Sequence, residues 1–306
     1  MRLRRLTHEL DRNESDMTDM QPHQTGQIWR RFVDIAEGQV HYREAGTATP
    51  DRLPLVMLHP SPGSSLMLAP LIRRFAETRY VYAPDTLGNG DSSPPPRDPN
   101  RDITLFVDAH LRALDALSIE RFDLYGSHTG ANIACEIAIR EPERVRGLIV
   151  DGISVYTDEE RDDMLANYAP GVTIDQSGAH VDWIWNFVRD TFLFWPWYRR
   201  DAANVRDVGL PPVDVLHDKV VEVLKAARTY HLSYQAALAY PKEKRLPLVT
   251  APTLLACARN DMLVVYFDAV AKFLPHAERL LTEGFLSQDA AHETVAAMTK
   301  FLDRGD

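Results

Sequence analysis

One stretch of the chain, "DLYGSHTGANIACEIAIREPERVRGLIVDGI" from Asp123 to Ile153, constrains the fold more than any other. It contains an apolar run, a sharp turn flanked by glycines, apolar residues at helical spacing and a second apolar run. Two strands separated by a helix pair in parallel, because parallel neighbours need a long crossover and antiparallel neighbours need only a short turn. The stretch therefore predicts a parallel sheet with a helix packed on it.

The same alternation of strands and helices continues along the chain. Alternating apolar and polar residues on both sides of Gly38 predict an antiparallel hairpin at one edge of the sheet. Further buried strands are predicted by "LPLVMLH", "RYVYAPD", "APTLLACARND" and "ERLLTEG", and helices by "ITLFVDAHLRALDALSI" and "HETVAAMTKFLDRGD". We expect an α/β fold with a mostly parallel, eight-stranded sheet and helices on both faces.

A segment without strand signals, residues 155–245, interrupts this alternation. It enters after one core strand and leaves before the next, so we expect a helical cap over the carboxyl ends of the strands, where open α/β sheets bind ligands. Trp183 and Trp185 lie in this segment and are predicted to line the pocket, with packing between cap and core as the alternative. The core then comprises residues 27–154 and 246–306, and residues 1–26 form a polar tail.

Charge and composition narrow the range of partners. The chain of 306 residues has 34 Lys+Arg against 44 Asp+Glu, a formal net charge of −10. Such an acidic chain repels phosphate backbones and anionic lipid, so we expect a small-molecule substrate and neither nucleic acid nor a membrane as partner. Cys135 and Cys257 lie in apolar segments and predict reduced core thiols, which, without a targeting signal, indicates a cytoplasmic protein. These features leave the oligomeric state open.

Three local motifs resemble those of the α/β-hydrolase fold with a helical cap. They are "LHPSPGSS" (Leu58–Ser65), "DTLGNGDS" (Asp85–Ser92) and "GSHTG" (Gly126–Gly130). The second matches the family's D-x-x-G-x-G-x-S loop at every fixed position, and all three follow in the family's order. The resemblance covers about residues 27–306. It implies that "GSHTG" forms the nucleophile elbow and that His59 ties loops together.

The register of this elbow decides which side chain stands at its tip. In a nucleophile elbow the residues two before and two after the centre come so close together that small residues are needed there. Centring the turn on His128 places Gly126 and Gly130 at these positions, whereas centring it on Ser127 places a tyrosine at one of them. We therefore predict His128 at the centre, where the family has a serine, with Ser127 at most a helper. An imidazole there can act as a base, an acid or a nucleophile.

The resemblance also implies positions for the partners of the central residue. The acid follows the strand after the cap, which is Asp261 here, and Asp151 is a second position from which a carboxylate can reach the elbow. The family's histidine follows the last strand, where this chain has Phe285. The nearest histidine is His292, which we expect to be exposed at the start of the final helix unless the loop shifts.

The sequence also bears on oxyanion stabilisation and on metal binding. The oxyanion donors implied by the resemblance are the backbone N–H groups of Ser61 and Thr129. Neither metal-ligand spacing nor a dinucleotide-binding G-x-G-x-x-G turn occurs in the sequence, so no metal and no other cofactor is expected. A metal held by His128, Asp261 and His292 is the minor alternative.

Three functions fit this pattern. The favoured one is an enzyme with a His128–Asp261 pair that acts, without an acyl-serine, as a hydrolase or lyase on a small, largely apolar, carbonyl-bearing substrate. The second is a conventional serine esterase-like hydrolase that uses Ser127 and His292. The third is a non-catalytic ligand-binding member of the fold, because a changed nucleophile often accompanies lost chemistry.

Overall fold

The computed structural model describes residues 26–97, 102–285 and 287–305. Within them, eight strands form one sheet. The strands are β1 (Trp29–Ile35), β2 (Gly38–Ala45), β3 (Leu55–Leu58), β4 (Val81–Pro84), β5 (Phe122–Ser127), β6 (Val145–Asp151), β7 (Thr253–Ala258) and β8 (Glu278–Thr282). The predicted polar tail, residues 1–26, lies outside the described residues except for Gly26.

The strand order across the sheet is β1-β2-β4-β3-β5-β6-β7-β8. β1 and β2 form the antiparallel hairpin expected around Gly38, with Ile35 opposite Gly38, and β2 pairs antiparallel with β4. All pairings from β4 through β3 to β8 are parallel. The prediction of an eight-stranded, mostly parallel sheet is therefore confirmed. Its parallel strands direct their carboxyl ends to one edge, where the loops that follow them meet.

Helices cover both faces of the sheet. They are α1 (Ala69–Phe75), α2 (Ile103–Ala116), α3 (Thr129–Arg140), α4 (Asp158–Asn167), α5 (Ala179–Leu193), α6 (Val213–Lys225), α7 (Tyr230–Ala239), α8 (Lys242–Arg245), α9 (Phe267–Ala271) and α10 (Gln288–Leu302). Helices α1 and α10 bury their apolar residues on one face of the sheet, and α2, α3 and α9 bury theirs on the other. The sheet's continuous apolar strands require this double cover, because both of their faces lie away from water.

Helices α4 to α8 form one insertion between β6 and β7. They have an apolar core of their own, in which Phe187 packs edge-to-face on Trp197 and near Tyr230. A capping box begins α4: the Thr157 side chain accepts from the Glu160 N–H, and the Glu160 side chain accepts from the Thr157 N–H. The insertion is thus a compact helical unit, and residues near its inner face contribute to the cavities described below.

The final helix begins earlier than the sequence pattern suggests. Ser287 caps α10 by accepting a hydrogen bond from the Ala290 N–H, so that the helix begins at Gln288. His292 therefore lies in the second turn of the helix rather than at its start, and its side chain is exposed. The difference arises because a serine hydroxyl satisfies the free N–H groups of the first turn one turn before the apolar pattern becomes visible. None of the helices in the described ranges is long and apolar enough to cross a bilayer.

Candidate active site

The turn between β5 and α3 carries the central residue of the candidate site. β5 ends at Ser127 and α3 begins at Thr129, which leaves His128 between them with φ 51° and ψ −108°. A positive φ is uncommon for a residue with a side chain and marks a tightly constrained backbone. The His128 N–H is shared between the carbonyl oxygens of Asp151 and Gly152, each at 3.1 Å, which ties this turn to the end of β6.

Two glycines make the tight turn possible. A Cβ atom at Gly126 would lie 2.4 Å from the Gly130 carbonyl oxygen, and one at Gly130 would lie 2.2 Å from the Leu58 carbonyl oxygen. Both distances are far shorter than van der Waals contact, and the obstructing atoms are backbone that cannot rotate away. The structure therefore has Gly126 and Gly130 at the close-approach positions on either side of His128.

The imidazole of His128 contacts the carboxylate of Asp261, a residue that follows β7. Its Nε2 lies 2.8 Å from Oδ2 of Asp261, and both side chains are 22% exposed. Asp261 stands in the loop after β7, where the Leu263 N–H donates to its other oxygen, Oδ1, at 2.7 Å. Nδ1 of His128 has no hydrogen-bond partner among the described residues, so this nitrogen is free to meet a substrate or a water.

Burial and charge shift the pKa values of His128 and Asp261 in opposite directions. Burial alone would lower the pKa of His128, but the negative charge of Asp261 and the hydrogen bond to it outweigh burial, so that the pKa lies above its usual value of 6.5. Burial would likewise raise the pKa of Asp261, but the charge and hydrogen bond of His128 hold it below the usual range. The two side chains therefore form an ion pair between the lowered pKa of Asp261 and the raised pKa of His128, and above the pKa of His128 they are a neutral imidazole beside a carboxylate.

Ser127 and Asp151 belong to a separate hydrogen-bonded group beside the elbow. The Tyr125 hydroxyl donates to Oδ2 of Asp151 at 2.6 Å and also interacts with the Ser127 side chain. Burial raises the pKa of Asp151, although the Tyr125 hydrogen bond opposes this and the charge of Asp261 reinforces it. The carboxylate bonded to His128 is accordingly that of Asp261, and Asp151 contacts a tyrosine instead.

Of the two residues considered after the last strand, Phe285 lines the cleft of His128 and His292 does not. Phe285, at the position where the family's histidine follows the last strand, lines the same cleft as His128 and Asp261. His292 is exposed on α10, and the hydrogen bonds that Asp261 accepts come from His128 and Leu263. The structure therefore does not bring His292 into contact with Asp261.

The two expected oxyanion donors lie close to His128 along different walls. Ser61 lines a large cleft of about 590 Å³, Thr129 lines a smaller cavity, and His128 lines both. Neither the Ser61 N–H nor the Thr129 N–H donates to an acceptor among the described residues, as expected at the first turn of a helix for Thr129. His59 is fully buried and joins loops, because its Nε2 accepts from the Thr86 N–H and its Nδ1 contacts the Pro60 carbonyl.

The predicted tryptophans lie elsewhere in the insertion. Trp183 stacks on Phe187 with ring centroids 5.1 Å apart and packs edge-to-face on Trp197, so it serves the insertion's own core. Trp185, on the opposite side of α5, is 39% exposed. The structure therefore does not bring either residue to the cavities that His128 lines, because α5 directs one of them inward and the other to solvent. Trp195 lines the smaller cavity instead.

Two cations that the sequence pattern did not single out line the large cleft. Arg206 donates to the carbonyl oxygens of Thr191 and Asn260, and Lys219 lies with its Nζ 4.9 Å from the centre of the Phe192 ring. Neither is paired with a carboxylate within the described part of the chain. Burial and the charge of Arg206 lower the pKa of Lys219 to about 8.

A possible metal-ligand group is already occupied by protein cations. His41, Asp85 and Asp91 bring their ligand atoms within 4.8 Å of one another. Arg30 and Lys225 pair with Asp91, however, and His41 contacts Asp85 at 2.8 Å. These contacts compensate the carboxylates, so we assign no metal to this group.

Comparisons with known proteins identify the family of the chain. The family model of the alpha/beta hydrolase fold matches residues 54–294, and the chain belongs to this family. A 2-hydroxy-6-oxononadienedioate/2-hydroxy-6-oxononatrienedioate hydrolase of Paraburkholderia xenovorans is 30% identical over 254 residues, which cover 76% of this chain and 80% of the relative. A 2-hydroxymuconate semialdehyde hydrolase of Pseudomonas sp. is 44% identical over 103 residues, but the match spans only 36% of that relative and 32% of this chain.

Solved structures show the same fold. Epoxide hydrolase A from Mycobacterium thermoresistibile superimposes with a TM-score of 0.71 at 19% identity, covering 91% of this chain and 99% of the other. The enol-lactonase from Burkholderia xenovorans gives a TM-score of 0.66 at 17% identity, covering 89% of this chain and 99% of the other. At these identities the likeness concerns the fold.

The origin of the raised His128 pKa can be tested by substitution. In Asp261→Asn the burial of the imidazole remains and the main opposing charge is gone, so the pKa of His128 should fall from above 6.5 to below it. NMR titration of the imidazole measures this directly. Asp151→Asn is the matched control and should lower the pKa less, because its carboxylate bonds to Tyr125. An equal or larger fall in the control would contradict the assignment of Asp261 as the partner.

Gly152 provides the space for the imidazole, and this too can be tested. A Cβ atom there would lie 2.8 Å from both Cδ2 and Nε2 of His128, so Gly152→Ala should displace the ring from Asp261 and lower the His128 pKa. Gly178→Ala is the control, because Gly178 also has a positive φ but nothing lies within 4 Å of its Cβ position. Both variants should lose about 1 kcal/mol or more from backbone strain. A His128 pKa that shifts equally in the two would show that strain, not contact, is responsible.

Proposed function

We propose that this chain is a cofactor-independent hydrolase or lyase in which His128 acts as general base and Asp261 orients it. The observation that carries the proposal is the 2.8 Å contact between His128 Nε2 and Asp261 Oδ2 at the strained tip of the β5–α3 turn. Because Nε2 donates to the carboxylate, Nδ1 holds the lone pair that accepts a proton. A general base of this kind typically contributes about 10²- to 10⁴-fold to a reaction rate.

The surroundings of Ser127 favour this mechanism over a serine nucleophile. The Ser127 side chain interacts with Tyr125, whose hydroxyl is in turn bonded to Asp151, and no histidine in the described part of the chain forms a hydrogen bond with Ser127. Phe285 occupies the region in which the family carries its histidine base, and His292 is exposed on α10. Among the described residues, Ser127 has no hydrogen-bonded imidazole to deprotonate it, whereas His128 needs none.

The charges of the cleft refine the substrate class. Arg206 and Lys219 come from the helical insertion, which we propose acts as a cap, and they line the cleft together with His128 and Asp261. Neither cation forms an ion pair with a carboxylate among the described residues, although Arg206 lies near enough to Asp261 to feel its charge. Such cations favour an anionic group on the substrate. The relatives act, by their names, on a semialdehyde and on a dienedioate. We therefore propose a small carbonyl compound that carries a carboxylate, which replaces the largely apolar substrate expected from the sequence.

The site of chemistry is tested by two neighbouring substitutions. His128→Ala should reduce turnover by about 10²-fold or more, because no other imidazole of the described residues contacts Asp261, while Ser127→Ala should keep most of it. The measurement is turnover over a panel of small esters, lactones, amides and β-keto acids, with circular dichroism to show that both variants fold. Fluorophosphonate labelling that disappears in Ser127→Ala would return the protein to the serine class. Ligand binding without turnover would leave it a binding protein.

The proposed preference for an anionic substrate is tested by a substitution of Lys219. Lys219→Met should raise KM for a carboxylate-bearing substrate by about 10- to 150-fold, the factor expected for losing one hydrogen bond to a charged group. It should leave the matched neutral ester nearly unchanged. Lys225→Met, on the same helix but paired with Asp91 and Glu222, is the control and should change neither value. Equal losses for charged and neutral substrates would contradict the anionic subsite.

A further inference from the structure

His128 also lines a second, smaller cavity that the cleft chemistry does not use. This cavity has a volume of about 40 Å³ and lies between the first turn of α3 and the helical insertion. Thr129 and Asn132 line it from α3, and Tyr168 and Tyr234 line it from the insertion. It therefore lies between the sheet's central elbow and the inserted helices.

Two polar atoms on its wall have no protein partner. Oγ1 of Thr129 and Oδ1 of Asn132 are buried and bond to no group among the described residues. The two residues are 3% and 5% exposed, and both line the cavity. The Asn132 amide is held in place because its Nδ2 donates to the His128 carbonyl at 2.8 Å, which leaves Oδ1 as an acceptor. An unmet buried polar atom costs about 1–3 kcal/mol, so these atoms favour a polar occupant.

The size of the cavity limits that occupant. A cavity needs roughly 10–15 Å³ of such space to hold one water, whereas pockets for drug-sized ligands measure about 300–1,000 Å³. At about 40 Å³ the cavity accommodates water and is too small for most of a carbonyl substrate. The unpartnered Thr129 and Asn132 oxygens on its wall favour a water over a dry void.

We propose that this cavity binds the water that attacks the substrate, held by Thr129 Oγ1 and Asn132 Oδ1 beside Nδ1 of His128. The inference rests on the proposed function, since it assigns the nucleophile to the general base. The water donates one hydrogen to Asn132 Oδ1 and the other to His128 Nδ1, and accepts one from the Thr129 hydroxyl. This leaves one lone pair of the water oxygen unused, and that pair forms the new bond.

The step balances without any further reagent. As the water oxygen bonds to the carbonyl carbon, its proton passes to Nδ1 and the carbonyl π pair moves to the carbonyl oxygen. When the tetrahedral intermediate collapses, the bond to the leaving group breaks and the leaving group takes the proton from the imidazolium. The neutral imidazole is restored.

Lys242 adds a positive charge to the same wall. It is 3% exposed and lines the cavity, with its Nζ donating to the Ala237 carbonyl at 3.0 Å and lying 5.4 Å from the centre of the Tyr156 ring. A nearby cation favours the hydroxide-like character that the water acquires as it loses a proton. The occupant best matched to this wall is therefore one that becomes more negative during the reaction.

The experiment removes one hydroxyl and nothing else. Thr129→Val keeps the shape of the side chain and the backbone N–H, so kcat should fall by about tenfold with KM within twofold. Thr129→Ser restores the hydroxyl and should recover most of that loss. Thr253→Val is the control for deleting a buried hydroxyl, because Thr253 is 2% exposed and its Oγ1 donates to Ala251 at the opposite end of β7.

The water can be detected in crystal structures and by isotope incorporation. Wild-type crystals should show an ordered water within hydrogen-bond distance of Thr129 Oγ1 and Asn132 Oδ1, and Thr129→Val crystals should lack it. In H₂¹⁸O the product should carry the label. A wild-type cavity without ordered water, an unlabelled product, or a Thr129→Val variant that turns over like Thr253→Val would overturn the proposal. Failure of the general base itself is separately visible, as unchanged turnover in His128→Ala with the water still present.

Discussion

The site depends on one close approach between backbones, that of the first turn of α3 to the end of β3. Gly130 lies so near the carbonyl oxygen of Leu58 that no side chain fits between them. The turn before α3 is therefore held against its neighbours on both sides, since the His128 N–H is also bonded to the end of β6. These constraints come from the sheet and fix the place of a single side chain.

Holding His128 in this conformation has a cost. A residue with a side chain in a sparsely populated region of φ and ψ is destabilised by about 1–3 kcal/mol and persists only where its surroundings over-determine it. Here the surroundings include Gly152, which leaves room for the ring, and Asp261, which holds its Nε2. The strain thus falls on a residue whose imidazole lines both cavities.

Much of the fold followed from the sequence because its determinants are local. Apolar runs and their spacing predicted the strands, and the glycines at 126 and 130 predicted His128 rather than Ser127 as the tip. In the structure the positive φ of this turn belongs to His128. The pairing of His128 with Asp261 followed from the order of elements in the resembling family. The role of the tryptophans did not follow from the sequence, because an aromatic residue can either pack in a core or line a pocket. Only the orientation of α5 about its axis decides between these two roles.

Arg206, Lys219 and Gly152 were missed for different reasons. Arg206 stands in an irregular loop, and Lys219 is one of several charged residues on α6, so no periodicity marks either of them. Tertiary contacts bring both of them to the cleft that His128 lines. Gly152 is visible in the sequence as a glycine directly after a buried strand. Its role could not be predicted, because it depends on the ring of His128, which lies in the turn after a different strand.

Proton transfer and charge recognition lie on different parts of the molecule. The imidazole and its carboxylate are both carried by loops of the sheet, whereas Arg206 and Lys219 are carried by the insertion. A displacement of the inserted helices would change the distance from Lys219 to the imidazole while leaving the 2.8 Å contact of the pair intact. Exchange of the insertion for that of a related chain would then alter which molecules enter and how fast they leave. It would also shift the pKa of His128, because the charge of Lys219 lowers it.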